Sequence, residues 1–212
     1  MFRDRRDAAQ QLAARLKGQP LRDPLVLGIP RGGVVLADGI AAEIGADVDV
    51  VLSRKLRAPG QPELALGAVA EDGRLFLNFP EEDMDDRLRD YLDDERAYQM
   101  GEIARRQKYY RSVRPPAPLA DRSIIVSDDG IATGATMMAA LRVLREHQPH
   151  EVIVAVPVAP PTRLKQVARH ASEVICLISP EDFLAIGQFY ENFEAVRDEE
   201  VVALLRQYAP VG

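Results

Sequence analysis

Ile124-Ile-Val-Ser-Asp-Asp-Gly-Ile-Ala-Thr-Gly-Ala-Thr136 is the most informative stretch of this 212-residue chain. Its first residues form an apolar run of the kind that fills a fully buried strand. Two adjacent carboxylates, Asp128 and Asp129, follow this strand, and a turn of small residues then leads into a helix expected to begin near Ala135. In an open α/β sheet, ligands bind outside the carboxyl ends of the strands, so this junction is a candidate binding site.

The turn after the acidic pair has the composition of a phosphate-binding loop. A helix N-terminus presents unpaired N–H groups and a partial positive charge to an anion. The small residues of this turn are Gly130, Ala132, Gly134 and Ala135. They let an anion approach the backbone closely, while the hydroxyl groups of Thr133 and Thr136 add hydrogen-bond donors. This half of the motif is suited to a phosphate group.

The acidic pair suits a different part of a ligand. Two carboxylates about 4 Å apart repel each other by roughly 4 kcal/mol at an effective dielectric constant of about 20. They accept hydrogen bonds from vicinal hydroxyl groups, and they attract hydrated Mg²⁺. The motif therefore suggests a phosphorylated sugar with free hydroxyls, provided that Asp128 and Asp129 are not locked in buried ion pairs. The alternative is that one Asp caps the helix and the other is solvated, which the attached phosphate-type turn disfavours.

The segments around this motif predict a parallel sheet. Short apolar runs of strand type alternate with helical stretches, which is the pattern of βαβ units with right-handed crossovers. The predicted strands are 25–29, 48–52, 124–126, 152–156 and 174–178, and the predicted helices are 4–17, 34–44, 135–146, 161–169 and 199–207. The fold class is therefore α/β, with a doubly wound and mostly parallel sheet.

The middle of the chain interrupts this pattern. Residues 53–67 are rich in charge, Pro and Gly, and we expect a mobile loop there. Asp72-Gly73 separates two short apolar runs and predicts a β-hairpin. Residues 81–111 are strongly charged and predict one or two long helices. We expect one domain over 1–212 with a core of about 25–180, to which the N-terminal helix, a helical insert at 80–118 and a tail at 181–212 are added.

Composition and charge disfavour several classes of function. The formal net charge of −6 is opposite to the basic balance of nucleic-acid binders, so no nucleic acid is expected as a partner. The N-terminus has no apolar signal segment, and no apolar run approaches the roughly 18 residues that a membrane helix needs. We therefore expect no membrane partner and a cytoplasmic location. The single cysteine, Cys176, cannot form an internal disulfide or a cysteine-based zinc site.

The stretch 124–136 resembles the phosphoribosyl-pyrophosphate (PRPP) signature of the type I phosphoribosyltransferases, in which a hydrophobic run and an acidic pair precede Thr-Gly-x-Thr. The resemblance extends over roughly residues 25–180 and implies that family's fold, with a small hood over the site, and a homodimer. It implies that Asp128 and Asp129 hold the ribose hydroxyls, and Mg²⁺ through water. It also implies that residues 132–136 hold the 5′-phosphate of PRPP.

The chain departs from the family pattern at three positions. Ser127 stands where an apolar residue is usual, and Ala135 replaces a common second glycine. Ala132 stands where members that act on 6-oxopurines carry an Asp, so hypoxanthine and guanine are disfavoured as acceptors. Adenine, uracil, orotate and an unusual amine all stay open.

Two further segments are candidates for the pyrophosphate end of PRPP. The turn Gly28-Ile-Pro-Arg-Gly-Gly33 follows the first strand, and the residues Arg31, Gly32 and Gly33 could form an anion nest there. It is similar to the family's pyrophosphate loop, although a tight βα turn is the alternative. The segment after the second strand resembles the family's flexible catalytic loop. Its Arg54, Lys55 and Arg57 could close over the leaving group, with Glu63 as an acid or base, unless the segment is simply solvated.

The late aromatic residues are candidates for stacking on a planar base. Phe183, Phe189 and Tyr190, with Phe193, cluster in the tail, where family members often carry a hood. The alternative is that these rings simply pack on the domain. The basic run from Arg105 to Arg114 is interpreted as the solvated faces of a helix.

Taken with the resemblance, these residues predict an Mg²⁺-dependent phosphoribosyltransferase of nucleotide metabolism. It would transfer the phosphoribosyl group of PRPP to a small nitrogenous base and release pyrophosphate, with Arg31, Lys55, Asp128 and Asp129 as catalytic residues. A non-catalytic sensor of PRPP or nucleotides on the same fold is the main alternative. A receiver-like domain phosphorylated on an aspartate is disfavoured, because the acidic pair lies late in the chain and a phosphate-type turn follows it.

Overall fold

Parallel strands form the central sheet of the protein in a computed structural model, which describes residues 1–209 apart from the side chains at positions 62, 63 and 81. The strands are β1 (Leu25–Gly28), β2 (Asp47–Val50), β3 (Ser53–Ala58), β4 (Gln61–Ala70), β5 (Leu75–Leu77), β6 (Ser123–Ser127), β7 (Glu151–Val158) and β8 (Glu173–Ile178). The helices are α1 (Arg5–Leu16), α2 (Gly32–Ile44), α3 (Asp86–Tyr110), α4 (Ala135–Arg145), α5 (Pro161–Val167) and α6 (Asp198–Leu205). Short 3₁₀ turns lie at Glu81–Asp83, Ile186–Phe189 and Arg206–Tyr208.

The central sheet has the strand order β2-β1-β6-β7-β8, and its neighbouring strands pair in parallel. Its central strands are covered on both faces, which is why β1 and β6 are continuous apolar runs rather than alternating patterns. The order reverses between β1 and β6, because the chain moves from β1 outward to β2 and later returns to β6. This point of reversal is where open α/β sheets bind ligands. The predicted doubly wound, mostly parallel sheet is confirmed.

Helices cover the two faces of this sheet with separate apolar layers. On one face, α1, α2 and α6 pack around residues such as Leu12, Leu36 and Val201. On the other face, α4 contributes Met137 and Leu141 to a second layer. Most ends of the predicted helices lie within about two residues of the observed ends.

A three-stranded antiparallel sheet, in the order β3-β4-β5, projects from the end of β2. The predicted hairpin at Asp72-Gly73 is present as the β4–β5 turn, with Gly73 at φ +82°. The expected loop at 53–67 is wrong, because this segment forms β3 and most of β4. The half-buried Arg54, Lys55 and Arg57 interrupt the buried Leu56 and Ala58, and the register shifts on both sides of Arg57, so β3 lacks the regular alternation of a strand.

The helical insert is one 25-residue helix, α3, and it packs against this hairpin. The Arg57 guanidinium donates to the two oxygens of Glu95 at 2.7 and 2.8 Å, and the Tyr91 hydroxyl donates to the Arg57 carbonyl oxygen at 3.0 Å. Burial alone would raise the pKa of Glu95, but hydrogen bonds from Arg57 and Gln99 outweigh it and lower this pKa to about 2.

We expect the contact between hairpin and helix to weaken in acid. Because the pKa of Glu95 is lower in the folded chain than in the unfolded one, its contribution to stability is present above pH 4.5 and is lost as the pH falls toward 2. Denaturant unfolding measured between pH 2 and 5 should show a shallower pH dependence for Glu95→Gln than for the wild type. The exposed Asp93→Asn on the same helix is the control. Equal slopes for Glu95→Gln and the wild type would contradict this expectation.

The N-terminal and C-terminal segments meet next to the central sheet. Phe2 forms an isolated parallel bridge with Tyr190, and its N–H donates to the Phe189 carbonyl oxygen at 2.8 Å. Within residues 1–209, none of the helices combines the length and the apolar character needed to cross a membrane.

Candidate active site

The turn after β1 and the end of β6 are joined at the point where the strand order reverses. The N–H of Ile29 donates to the Ser127 carbonyl oxygen at 2.9 Å, and the Ser127 hydroxyl donates to the Gly33 carbonyl oxygen at 3.0 Å. Ser127 is fully buried. The Ser127 hydroxyl therefore links the two candidate anion-binding turns.

Two adjoining cavities open at this edge of the sheet, and they share Asp128 and Thr136. The smaller cavity, of about 130 Å³, is enclosed mainly by the turn after β6. The larger cavity, of about 260 Å³, lies between the turn after β1, the β3–β4 hairpin and α3. The cationic side chains that line the larger cavity are those of Arg54, Lys55, Arg57 and Arg106.

The smaller cavity has the features of a phosphate site. Gly134 caps the N-terminus of α4 with φ +82°, a conformation that favours glycine. In the described part of the chain, the N–H groups of Ala132, Thr133 and Gly134 donate to no protein acceptor. These donors and the helix N-terminus favour an anion, although none of the side chains that line this cavity is cationic.

Asp128 lies between the two cavities and is half-buried. One of its oxygens accepts the N–H of Asp129 at 2.9 Å. Burial raises the pKa of Asp128, the neighbouring charge of Asp129 raises it further, and the charge of Arg5 opposes both effects. Asp128 is therefore a carboxyl group that gains from a cation or hydroxyl donors supplied by a ligand.

Asp129 is in a different position, because Arg5 of helix α1 holds its carboxylate. The Arg5 Nε and Nη2 atoms donate to the Asp129 Oδ2 atom at 3.1 and 2.9 Å. The side chains of Arg5 and Asp129 are only 11% and 15% exposed. The requirement that the acidic pair be free of buried ion pairs is therefore met by Asp128 and not by Asp129.

The C-terminal tail encloses this ion pair. The centroid of the Phe193 ring lies 4.0 Å from the Arg5 guanidinium carbon. The Arg5 Nη1 atom donates to the Glu194 carbonyl oxygen at 2.8 Å. The Tyr190 hydroxyl donates to the Asp129 carbonyl oxygen at 2.7 Å. No motif in the sequence marked Arg5, because one arginine in a charged N-terminal helix is indistinguishable from a solvated residue.

The aromatic residues of the tail fall into two groups. Tyr190 is 6% exposed and packs between Phe2 and Phe193, with ring centroids 5.3 and 4.9 Å away, so its predicted stacking on a base does not fit this placement. Phe183 and Phe189 stack on each other at 5.6 Å. In the sequence they lie three residues before and three residues after Ile186, which lines the phosphate-type cavity. Base stacking by Phe183 and Phe189 stays a prediction.

The cations predicted for pyrophosphate are arranged on the larger cavity with different partners. The Arg54 Nε atom donates to the neutral amide oxygen of Gln99 at 3.0 Å, so its charge is not neutralised there. The Arg57 guanidinium is paired with Glu95, and Lys55 also lines this cavity. Arg31 precedes the first residue of α2 and is exposed beside this cavity rather than lining it. The side chain of Glu63 lies outside the described residues.

The family of the chain follows from a comparison of its sequence with family models. Residues 2–194 match the phosphoribosyl transferase domain. The chain belongs to this family. The sheet, its point of reversal and the two turns described above are thus those of a phosphoribosyltransferase fold.

Individual relatives agree with this assignment. The crystal structure of TT1426 from Thermus thermophilus superposes with a TM-score of 0.92 at 46% identity, and 99% of each chain is covered. The protein named "Putative phosphoribosyl transferase Rv0571c" from Mycobacterium tuberculosis H37Rv is 42% identical over 100% of this chain and 49% of its own length. "Putative phosphoribosyl transferase MT0597" from strain CDC 1551 has the same identity and coverage. The chain therefore spans about half the length of these curated relatives.

Proposed function

We propose that this protein transfers the 5-phosphoribosyl group of PRPP to a nitrogenous base and releases pyrophosphate. The observation that carries the proposal is the pair of adjoining cavities that share Asp128. A phosphate-type cavity on one side and a cationic cavity on the other correspond to the 5′-phosphate and the diphosphate of a single sugar. Asp128, which lines both cavities, would then accept hydrogen bonds from the ribose hydroxyls.

The proposed reaction needs no covalent intermediate with the protein. A nitrogen lone pair of the base forms the new bond to C1 of the ribose, and the bond between C1 and the pyrophosphate oxygen breaks with its electron pair leaving on that oxygen. The proton carried by the attacking nitrogen passes to water. Charge therefore develops on the leaving diphosphate. Cations and N–H groups that are fixed before the reaction stabilise such charge, and we propose that Arg54 and Lys55, which line the larger cavity, contribute to this stabilisation.

Mg²⁺ would enter this site with the substrate. Mg²⁺ is commonly held by one or two carboxylates together with the phosphates of the substrate, and it retains several waters. The carboxyl of Asp128 fits that role, through water, whereas Asp129 already shares one oxygen with Arg5. Among the described residues, no group of three or more His, Cys, Asp or Glu side chains could hold a metal on its own. Bound Mg²⁺ would neutralise charge on the diphosphate.

Calorimetric titration with PRPP in the presence of Mg²⁺ tests this proposal. The wild type should bind PRPP, and Arg31→Ala and Asp128→Asn should each weaken binding by about 1.5–3 kcal/mol, the contribution of a charged hydrogen bond. Arg89→Ala and Asp93→Asn, both exposed on α3, are the matched controls and should bind like the wild type. Asp129→Asn is a poorer probe, because it also disrupts the pair with Arg5.

Release of pyrophosphate across a panel of bases separates the enzyme from a sensor. The proposal expects Mg²⁺-dependent release with at least one base among adenine, uracil, orotate and simple amines. Tight PRPP binding without release for any acceptor would favour the non-catalytic sensor. A wild type that does not bind PRPP at all would refute both.

A further inference from the structure

One arginine of the helical insert lines the larger cavity with an unpaired buried nitrogen. Arg106 belongs to α3, and it lines this cavity together with Arg54, Lys55 and Asp128. The Nε atom of Arg106 is buried and has no hydrogen-bond partner among the described residues. Buried polar atoms are nearly always paired, so an exception of this kind needs an explanation.

The surroundings of Arg106 do not neutralise its charge. Burial lowers the pKa of Arg106, and the positive charges of Arg54 and Arg105 act in the same direction, whereas Tyr110 and Asp198 oppose them. The nearby carboxylates form hydrogen bonds or ion pairs with other residues. Glu95 is paired with Arg57, while Asp198 accepts hydrogen bonds from Arg105 and the Tyr110 hydroxyl. No carboxylate within the described side chains forms an ion pair with Arg106.

A structural role does not account for this arrangement. A guanidinium placed for stability would point to a carboxylate or a carbonyl oxygen, as its neighbour Arg105 does toward Asp198 at 3.1 Å. Arg106 instead adds a second cation without an ion-pair partner among the described residues, in the cavity that Arg54 also lines. Such an arrangement costs stability in the empty protein, and an anion in the cavity removes that cost.

We propose that Arg106 binds the diphosphate group, in PRPP and in the pyrophosphate product, from the side opposite the turn after β1. This inference rests on the proposed function, because it assigns a residue to the diphosphate end of the same site. It gives α3 a binding role: the helix would supply one wall of the diphosphate site as well as supporting the β3–β4 hairpin. The Arg105-Arg106 pair would thus divide into a structural residue and a ligand-binding one.

Two ligands, titrated separately in the presence of Mg²⁺, test this assignment. Inorganic pyrophosphate should occupy the larger cavity, whereas ribose 5-phosphate should occupy the smaller one. Arg106→Gln should weaken pyrophosphate binding by roughly 10- to 100-fold, the range expected for a lost charged hydrogen bond. It should leave the affinity for ribose 5-phosphate within about twofold. Arg106→Lys should lose less, since it keeps the charge but not the planar fork.

Arg89→Gln is the matched control, because it removes the same charge from an exposed position on the same helix. It should leave both affinities unchanged. Thermal unfolding adds a readout that a merely structural residue would not give. Without ligand, Arg106→Gln should melt at the wild-type temperature or above it, while the stabilisation by added pyrophosphate should be largely lost.

The outcomes distinguish the inference from the function on which it rests. If the wild type binds neither ligand, the proposed function fails and Arg106 loses its role with it. If the wild type binds both but Arg106→Gln binds pyrophosphate as tightly as the wild type, the inference alone is overturned. An equal loss of both ligands, or a lowered melting temperature without ligand, would also overturn it, since either result indicates a structural residue.

Discussion

Replacing Arg5 with methionine should lower the free energy of unfolding by about 3–5 kcal/mol, the usual cost of breaking a buried ion pair. Arg5 and Asp129 are almost fully enclosed, and methionine would leave the Asp129 carboxylate without its two donors at 2.9 and 3.1 Å. The substitution would also remove the donor to the Glu194 carbonyl oxygen and the contact with the Phe193 ring. Chemical denaturation at neutral pH measures this loss directly.

A double variant separates the buried charge from the loss of packing. Arg5→Met combined with Asp129→Asn removes both charges, so it should recover part of the stability that Arg5→Met alone loses. Arg3→Met is the control from the same segment, because Arg3 is 74% exposed and its pair with Asp7 lies at the surface. Its effect should stay within about 0.5 kcal/mol. A loss of less than about 1 kcal/mol for Arg5→Met would show that the pair with Asp129 is not a buried one.

The parts of the fold that the sequence predicted are those decided by local pattern. Strands such as β6 and β7 are continuous apolar runs bounded by turns, and the signature at 124–136 places one of them next to a helix N-terminus. The two glycine-containing turns could be assigned to one edge of the sheet because parallel strands end together. The prediction of a second anion-binding turn at 28–33 depended on that geometry rather than on the motif alone.

The parts that could not be predicted depend on contacts between distant segments. The segment 53–67 resembled a loop because it is rich in charge, Pro and Gly. Two of its charged side chains, Arg57 and Arg54, donate hydrogen bonds to Glu95 and Gln99 on α3. Arg5 meets Asp129 across 124 positions of sequence. Arg106 sits in a basic run that, by itself, indicates a solvated helix face. In each case the partner of a charged side chain is set by the tertiary fold, which no local spacing reveals.

Alanine at Gly33 should cost about 3 kcal/mol of unfolding free energy, at the upper end of overpacking penalties, and should abolish PRPP binding. A Cβ atom there would lie 2.5 Å from the Ser127 carbonyl oxygen and 3.0 Å from the Asp128 Cα atom, and both are backbone atoms that cannot turn aside. Relief of the clash must separate the turn after β1 from the acidic pair, which pulls the diphosphate and ribose parts of the site apart.

Gly101→Ala is the matched control, since the same added methyl meets nothing within 4 Å in the middle of α3 and should stabilise the protein by about 0.5–1 kcal/mol. A loss of unfolding free energy for Gly33→Ala and a gain for Gly101→Ala would show that the close backbone approach between β1 and β6 excludes a side chain at Gly33. Equal behaviour of the two variants in denaturation and in titration with PRPP would show that the close approach at Gly33 is not required.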